Sequence, residues 1–517
     1  MTTCLPDTFA KSRFARLLAI AFGILLVQSA AAASPGTTVV VAAGDSGPAS
    51  KAWADYACDG FDDHLEIQQA LVALPAGGTV VLSGGTFNCS GSIIPPAGTT
   101  LRGNGPEATT LSFSRNGTLN VSSEYVTLDG FRVAGAGYTD LSTDTMPDLT
   151  RWLGVITVYA SHATLHNITG TADASIQAVF LLLHDPNVYA PVLEDVELVN
   201  CRVVDPGTYG FLHNAWGSEN TTLKNIRYEN CAAINCGRDA AFNAWVTGFD
   251  FAELNGIEGL RVTDCLAEGC LESGFHFEWD PDKRDCVFVN CSSRNNGHKP
   301  FPDDYLVGDP GLFGAGFYLP GGEVSLVNCR AEENSAFGFF ISNPAGMLLY
   351  NCTESGTGRS GGLAPKPAAY CILQTERTAR DPSIVMEHCR SLDTNGWGFF
   401  ACGAENLLVR DFTMTNPAGV GRFGALLGCP PTELPANSTI TVGIANSTID
   451  LTASGNRPQT LLYVVENWNV VYSGRIYSDA PRPILLEGTR AGDVDLEGLE
   501  VLPVDAMVPV LRGNGYV

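Results

Sequence analysis

Short apolar runs separated by polar turns fill the middle of the chain, and seven of them share one pattern. In VELVNCRVVDPGTYGFL (196–212), IRYENCAAINCGRDAAF (226–242) and LRVTDCLAEGCLESGFHF (260–277), a β-rich run leads to an Asn-Cys or Asp-Cys step. A polar turn and a Gly-aromatic strand follow. The order recurs in CVFVNCSSRNN (286–296), VSLVNCRAEENSAFGFFI (324–341), LLYNCTESG (348–356) and IVMEHCRSLDTNGWGFF (384–400). One such unit cannot bury its own apolar face, but stacked copies can, so the repeat predicts a solenoid. Cys201, Cys231, Cys265, Cys291, Cys329, Cys352 and Cys389 hold one equivalent position. In a coil stack they form an inward column of small side chains, mostly free thiols.

Subtracting these positions gives spacings of 30, 34, 26, 38, 23 and 37 residues. The short spacings approximate a bare coil, and the excess in the others must leave as loops on one flank. The coils are expected to begin at 123–137 and 161–182, and Phe412 takes the ladder position in a degenerate coil. Upstream, 37–42 reads as a strand, and 62–74 has helical spacing with Leu65, Ile67, Ala70, Leu71 and Leu74 apolar and Asp62 or Asp63 as N-cap. Such a helix would cover the open end of a solenoid. The expected organisation is a signal at 1–33, a cap with first coils at 34–122, β-helix repeats at 123–436, and final coils or a β cap at 437–517.

Charged residues make up 16% and apolar residues 45% of the chain, with 56 Gly and 29 Pro, a turn-rich β composition. A net charge of −25 leaves no basic footprint for nucleic acid. It leaves room for a polysaccharide partner, with local Arg/Lys or a bound cation such as Ca2+ bridging an acidic one; no other cofactor is implied. Lys11, Arg13 and Arg16 precede the apolar run 17–27 and small residues at 29–34, the pattern of a cleaved secretory signal. The expected location is extracellular or cell-envelope, without membrane insertion after cleavage. Secretion permits disulfides. Cys236 and Cys270 each follow their ladder cysteine by five residues on neighbouring coils, which lie about 4.8 Å apart, so they are expected to be bridged. Cys58 and Cys89 are a second pair. The clustered cysteines lack the C-x2-C spacing of a zinc site.

Ionisable groups concentrate after the Gly-aromatic strands of three consecutive coils, in 210–220, 241–254 and 274–285. Trp216, Trp245 and Trp279 fall 15, 14 and 14 residues after their ladder cysteines, a row suited to the C–H faces of sugar rings. His213 and Glu253 stand beside them as binding candidates. The catalytic candidates are Asp250, His276, Glu278, Asp280, Lys283 and Arg284. Glycoside hydrolysis needs two carboxyl groups, one of them protonated. β-Elimination from a uronate needs a base and a neutralising cation. Both sets of residue types are present, and a non-enzymatic envelope or adhesion role is the alternative.

The segment D-DHLEIQQAL…GGTVVL-GGTF…I-PPAGTTLRGNG resembles the N-terminal cap of pectin-lyase-like right-handed parallel β-helices, and the seven repeats resemble their coils. More narrowly, the chain is similar to secreted β-helix repeat proteins of methanogenic archaea. The resemblance implies an all-β, single-stranded right-handed parallel β-helix with an N-terminal capping helix, and for function a polysaccharide lyase, hydrolase, epimerase or non-catalytic surface protein. The N-T-D, G-H-G and R-I-K signatures of polygalacturonases, the R-x-P-x-x-R of pectate lyases and the D-P-H-D of alginate epimerases are absent.

Overall fold

The structure, a computed structural model, describes residues 36–138 except 76 and 116, 153–183, 192–213, 222–237, 246–278 except 253, 282–298, 314–358, 367–373, 383–402, 407–415 and 423–427. Near the C-terminus it describes 440–450, 462–465, 468–477, 484–487, 494–495 and 499–502. The expected signal segment 1–33 lies outside the described residues.

The repeating unit closes into a coil because three of its corners use residues that tolerate a left-handed backbone. Glu197–Val199 runs to Asn200 (φ 54°) and Cys201, turns into Arg202–Val204, reaches Asp205 (φ 48°), and continues to Tyr209–Leu212. Thr222–Lys224 then leads through Asn225 (φ 51°) to Arg227–Glu229, which lies in register on Glu197–Val199 one coil earlier. Asn and Asp visit this region at low cost because their short polar side chains hydrogen-bond locally. The residue before each ladder cysteine has φ between 51° and 57° at Asn230, Asp264, Asn290, Asn328, Asn351 and His388. Their carboxamides also link coils: Asn230 Nδ2 donates to Asn200 Oδ1 at 2.7 Å, Asn290 to Asp264 at 3.0 Å and Asn351 to Asn328 at 2.8 Å.

Stacking these coils gives, among the described residues, sheets of 30, 13 and 4 strands with parallel pairing along each. The chain is a parallel β-helix. Its interior holds a file of rings, Phe180, Phe211, Phe249, Phe275, Phe317, Phe339 and Tyr370, stacked at 4.6–5.0 Å between neighbours. That spacing is the distance between hydrogen-bonded strands, so ring stacking and backbone pairing share one repeat. The glycine before Phe211, Phe249, Phe275, Phe317 and Phe339 has a steric cause. A Cβ on Gly274 would lie 2.0 Å from Ser293 Oγ and 2.9 Å from the Gly316 carbonyl.

The seven ladder cysteines are all buried and all free. Cys201, Cys231 and Cys291 direct their thiols to carbonyls of the preceding coil, at 3.4, 3.3 and 3.3 Å. Burial pushes the thiols of Cys201, Cys265, Cys291, Cys329 and Cys389 well above their ordinary range. The expected bridges are not formed: Cys236, Cys270, Cys58 and Cys89 are free and buried. Side chains in equivalent positions of stacked coils point the same way, so their sulfurs keep the coil spacing. A disulfide needs Cβ atoms about 3.8 Å apart with a near-perpendicular torsion.

At the N-terminal end Thr38–Ala42 pairs with Thr79–Leu82, and His64–Ala73 packs as a helix on these strands through Ile67, Ala70 and Leu71. Leu65, expected on that face, is 51% exposed. Asp63 stands at the N-cap, but its carboxylate accepts the Gly60 and Asn88 amides at 2.9 and 2.7 Å instead of capping the helix. At the other end Ile440–Asp450 pairs with both Leu407–Arg410 and Thr413–Thr415, so one bent strand spans two arms of a coil. Trp468–Tyr477 and Leu499–Leu502 continue that stack. Among the described residues no helix is long and apolar enough to cross a membrane.

Candidate functional site

Phe275–Phe277 is a strand of the thirteen-stranded sheet. Phe275 stacks on Phe249 and Phe317 inside the core, and Phe277 lies 5.3 Å from Phe251 and 5.8 Å from Phe288. Alternation therefore turns His276 to the outward face. Asp250 is its register partner on the preceding coil and Tyr318 on the next. His276 stacks on Tyr318 at 4.6 Å and Tyr318 on Phe340 at 4.9 Å. Tyr318 and Phe340 belong to an apolar cluster separate from the main core, with Phe337, Cys371, Trp397 and Phe400.

Three carboxyl groups gather round His276. Its Nδ1 lies 3.1 Å from Glu272 Oε1 and its Nε2 3.7 Å from Glu278 Oε1. The first contact has ion-pair distance without hydrogen-bond alignment. The Glu272 and His276 side chains are 1% and 4% exposed, whereas that of Glu278 is 41% exposed. Asp250 Oδ2 accepts the Thr247 hydroxyl at 3.1 Å. Asp250 Oδ1 and Glu272 Oε2 are buried without a hydrogen-bond partner.

The environment splits these acids. Burial pushes Asp250 up to about 8, with Glu278 and Glu272 adding to the rise and His276 opposing it. Burial also raises Glu272, against the pull of His276. Burial alone would lower His276, but Glu272, Glu278 and Asp250 together hold it well above the ordinary imidazole value. Burial opposes ionisation of Glu278 too, yet its contact with His276 and the charge of Lys283 keep it below the usual carboxylate range. Near neutral pH the cluster thus holds a protonated Asp250, an imidazolium and an ionised, solvent-facing Glu278.

The remaining candidates are placed apart from this face or outside the described residues. His213 faces inward: its Nδ1 donates to the Asp250 carbonyl at 2.7 Å and its Nε2 accepts the Tyr228 hydroxyl at 2.6 Å. Burial lowers its imidazole to about 4, so it is a neutral core residue. Lys283 is 1% exposed, donating from Nζ to the carbonyls of Glu278 and of Pro320, the latter at 3.1 Å. It also sits 5.5 Å from the centre of the Phe277 ring, which makes it a clamp under the loop that carries Glu278. Arg284, on the four-stranded sheet, is half-exposed and pairs with Asp282 at 3.2 Å. Trp216, Trp245, Trp279, Glu253 and Asp280 lie outside the described residues.

Glu272 was not among the candidates drawn from the sequence. Its signal is positional. Two residues before the glycine of the Gly-aromatic pair, other coils carry Thr208, Val246, Gly314, Ala336 and Gly396. Glu272 is the charged residue in that column.

No family model matches the chain, and no curated protein matches it. Solved structures do. The pre-mature gene product 12 of bacteriophage phi29 superimposes with a TM-score of 0.53 at 13% identity, covering 83% of this chain; the chain spans 62% of that protein. The catalytic unit of a GH87 α-1,3-glucanase from Streptomyces thermodiastaticus gives 0.40 at 12% identity, with 85% and 67% of the two chains covered. Pectate lyase Pel9A gives 0.33 at 13% identity, with 84% and 78% covered. The likeness is one of fold. The chemistry of this chain has to be argued from its own residues.

Among the described residues one further group brings metal-ligand types together, Cys58, Asp63 and Glu66, with ligand atoms within 4.8 Å of one another. Burial and nearby acids push the Cys58 thiol up to about 12, and Asp63 is committed to two backbone amides. A protonated thiol is a poor ligand, and no ion is assigned there.

Proposed function

We propose that the protein binds a polysaccharide on the outward face of the thirteen-stranded sheet, at the cluster of Asp250, Glu272, His276 and Glu278. The observation that carries this reading is the pair of buried carboxyl oxygens, Asp250 Oδ1 and Glu272 Oε2, left without partners beside a half-exposed Glu278. Buried polar atoms without a partner are rare in folded proteins and call for one, and in this reading a ligand hydroxyl supplies it. Sugar diols present such hydroxyls in pairs. The segments that follow these strands in the sequence carry Trp216, Trp245 and Trp279, which in this reading stack on sugar rings, and the same segments carry Glu253 and Asp280. An extracellular or envelope location follows from the leader-like segment 1–33 and from the substrate.

A glycan array probed with the full chain tests the proposal. Binding to at least one polymer is expected, with a drop of about tenfold in each of Glu278→Gln, Trp245→Ala and Trp279→Ala, the loss of roughly one good contact. Unchanged binding in all three variants overturns it. A second reading, a rigid envelope or adhesion solenoid, is favoured by the near-complete burial of Asp250, Glu272 and His276. It predicts that Glu278→Gln changes no carbohydrate interaction.

A further inference from the structure

Resting on that binding site, we propose that the protein hydrolyses an uncharged glycan, with Asp250 as proton donor and Glu278 as the opposing carboxylate. Two features of the cluster decide between hydrolysis and elimination, and between uncharged and acidic sugars.

The first is where the cations are. The Lys283 ammonium is spent on two backbone carbonyls beneath Glu278. Arg284 is paired with Asp282, and Arg261 with Asp285 at 2.5 Å. His276 is flanked on its two ring nitrogens by Glu272 and Glu278. A uronate entering here would bring a further carboxylate against ionised Glu278, while each of these described cations is already engaged by the protein. An uncharged sugar brings only hydroxyls, which the unpartnered oxygens of Asp250 and Glu272 can accept or meet.

The second is which groups can move a proton. Elimination needs a neutral base to remove the proton at C5 of a uronate. An imidazole held between two carboxylates is poised as an acid and does not offer that base. Hydrolysis needs a protonated acid and an anion in distinct environments. Asp250, buried, and Glu278, open to solvent on one side, provide that contrast. In the reaction the bond from C1 to the glycosidic oxygen breaks, and a bond from C1 to a water oxygen forms. Asp250 gives its proton to the departing oxygen. The positive charge developing on the ring faces ionised Glu278, and the proton released by the attacking water restores the acid. One water is consumed and no C5–H bond breaks. Glu272 is a positioning residue, acting through His276.

The test incubates the full chain with soluble α- and β-glucans, xylan and galactomannan, and in parallel with polygalacturonate and alginate. New reducing ends are expected from an uncharged polymer, with one 18O from labelled water per cleavage. Asp250→Asn should lower kcat by about a hundredfold or more while leaving KM within a few-fold, the span expected for loss of a general acid. Glu278→Gln serves as a second variant if Asp250→Asn fails to fold. Unsaturated ends from either uronan would overturn the inference and leave the binding site standing. So would polymer binding with no cleavage of any uncharged glycan. Absence of binding to every polymer would remove both the inference and the proposed function beneath it.

Discussion

Single buried side chains decide how this solenoid responds to pH. Glu354 is fully buried in the coil interior, where Ser391 Oγ donates to Oε2 at 3.0 Å, Thr394 Oγ1 at 2.5 Å and the Thr357 amide to Oε1 at 2.9 Å. Burial raises its pKa above the 4.5 of an unconstrained glutamate despite these donors. The folded state then holds a proton that the unfolded state releases. The unfolded chain binds fewer protons between 4.5 and the raised value, so stability falls as pH climbs through that window. Glu354→Gln, which cannot ionise, should melt at or below the native protein near pH 4 and gain on it progressively as pH rises. Thermal melts of both proteins across pH would show it, and a pH-independent difference would refute the assignment. His213 works at the other end. Its imidazole is lowered to about 4 by burial, so stability is lost as pH falls from 6.5 towards 4. Tyr228→Phe removes the hydroxyl that His213 Nε2 accepts and leaves that nitrogen buried without a donor, at a cost of about 1–3 kcal/mol seen as a lower Tm.

At the scale of a coil, the Asn-Cys step couples two demands. The asparagine must adopt a left-handed backbone at the corner, and its carboxamide must reach the preceding coil. Asn230 does both, with φ 51° and a 2.7 Å bond to Asn200. Replacing it separates the two. Asn230→Gly keeps the backbone and loses the ladder bond, a small cost for an exposed contact. Asn230→Ala loses the bond and adds the strain of a Cβ at positive φ, about 1–2 kcal/mol more. Urea melts should rank native above glycine above alanine; equal stability of the two variants would show that the corner imposes no backbone demand. This step, and the Gly-aromatic strand after it, were legible because both arise from local geometry that recurs from coil to coil. The start of the capping helix was legible only within two residues, since nothing local shows that Asp63 serves Gly60 and Asn88 instead of the helix end. Asp250, His276 and Glu278 were readable as candidates because charge is sparse in this chain. Their grouping about Glu272 depends on which strand face each occupies, and Lys283 and Arg284, though adjacent, end on different sides of a short strand.

Over the whole molecule, stability has to come from register. A solenoid contacts only its neighbouring coils, so its cohesion is a sum of like interfaces. Here the central interfaces reuse a stacked ring and a buried thiol at the strand spacing, with corner carboxamide contacts such as Asn200–Asn230 and Asn328–Asn351. That regularity explains why the seven ladder cysteines, with Cys236 and Cys270 beside them, are free: side chains kept parallel by in-register pairing do not turn towards one another to bond. The expectation of a Cys236–Cys270 bridge treated inter-coil distance as sufficient and left out direction. Loss of a native disulfide costs about 2–5 kcal/mol, which would lower the melting temperature by several degrees. The native protein should therefore melt at the same temperature with and without tris(2-carboxyethyl)phosphine. Thiol titration should find Cys201, Cys291 and Cys389 silent in the folded state, where burial keeps them protonated, and reactive in denaturant without prior reduction. A reductant-sensitive melt, with the described thiols missing from the denaturant titration, would mean that neighbouring coils depart from register to make covalent links. The parallel column on which the outward placement of Asp250 and His276 depends would then have to be redrawn.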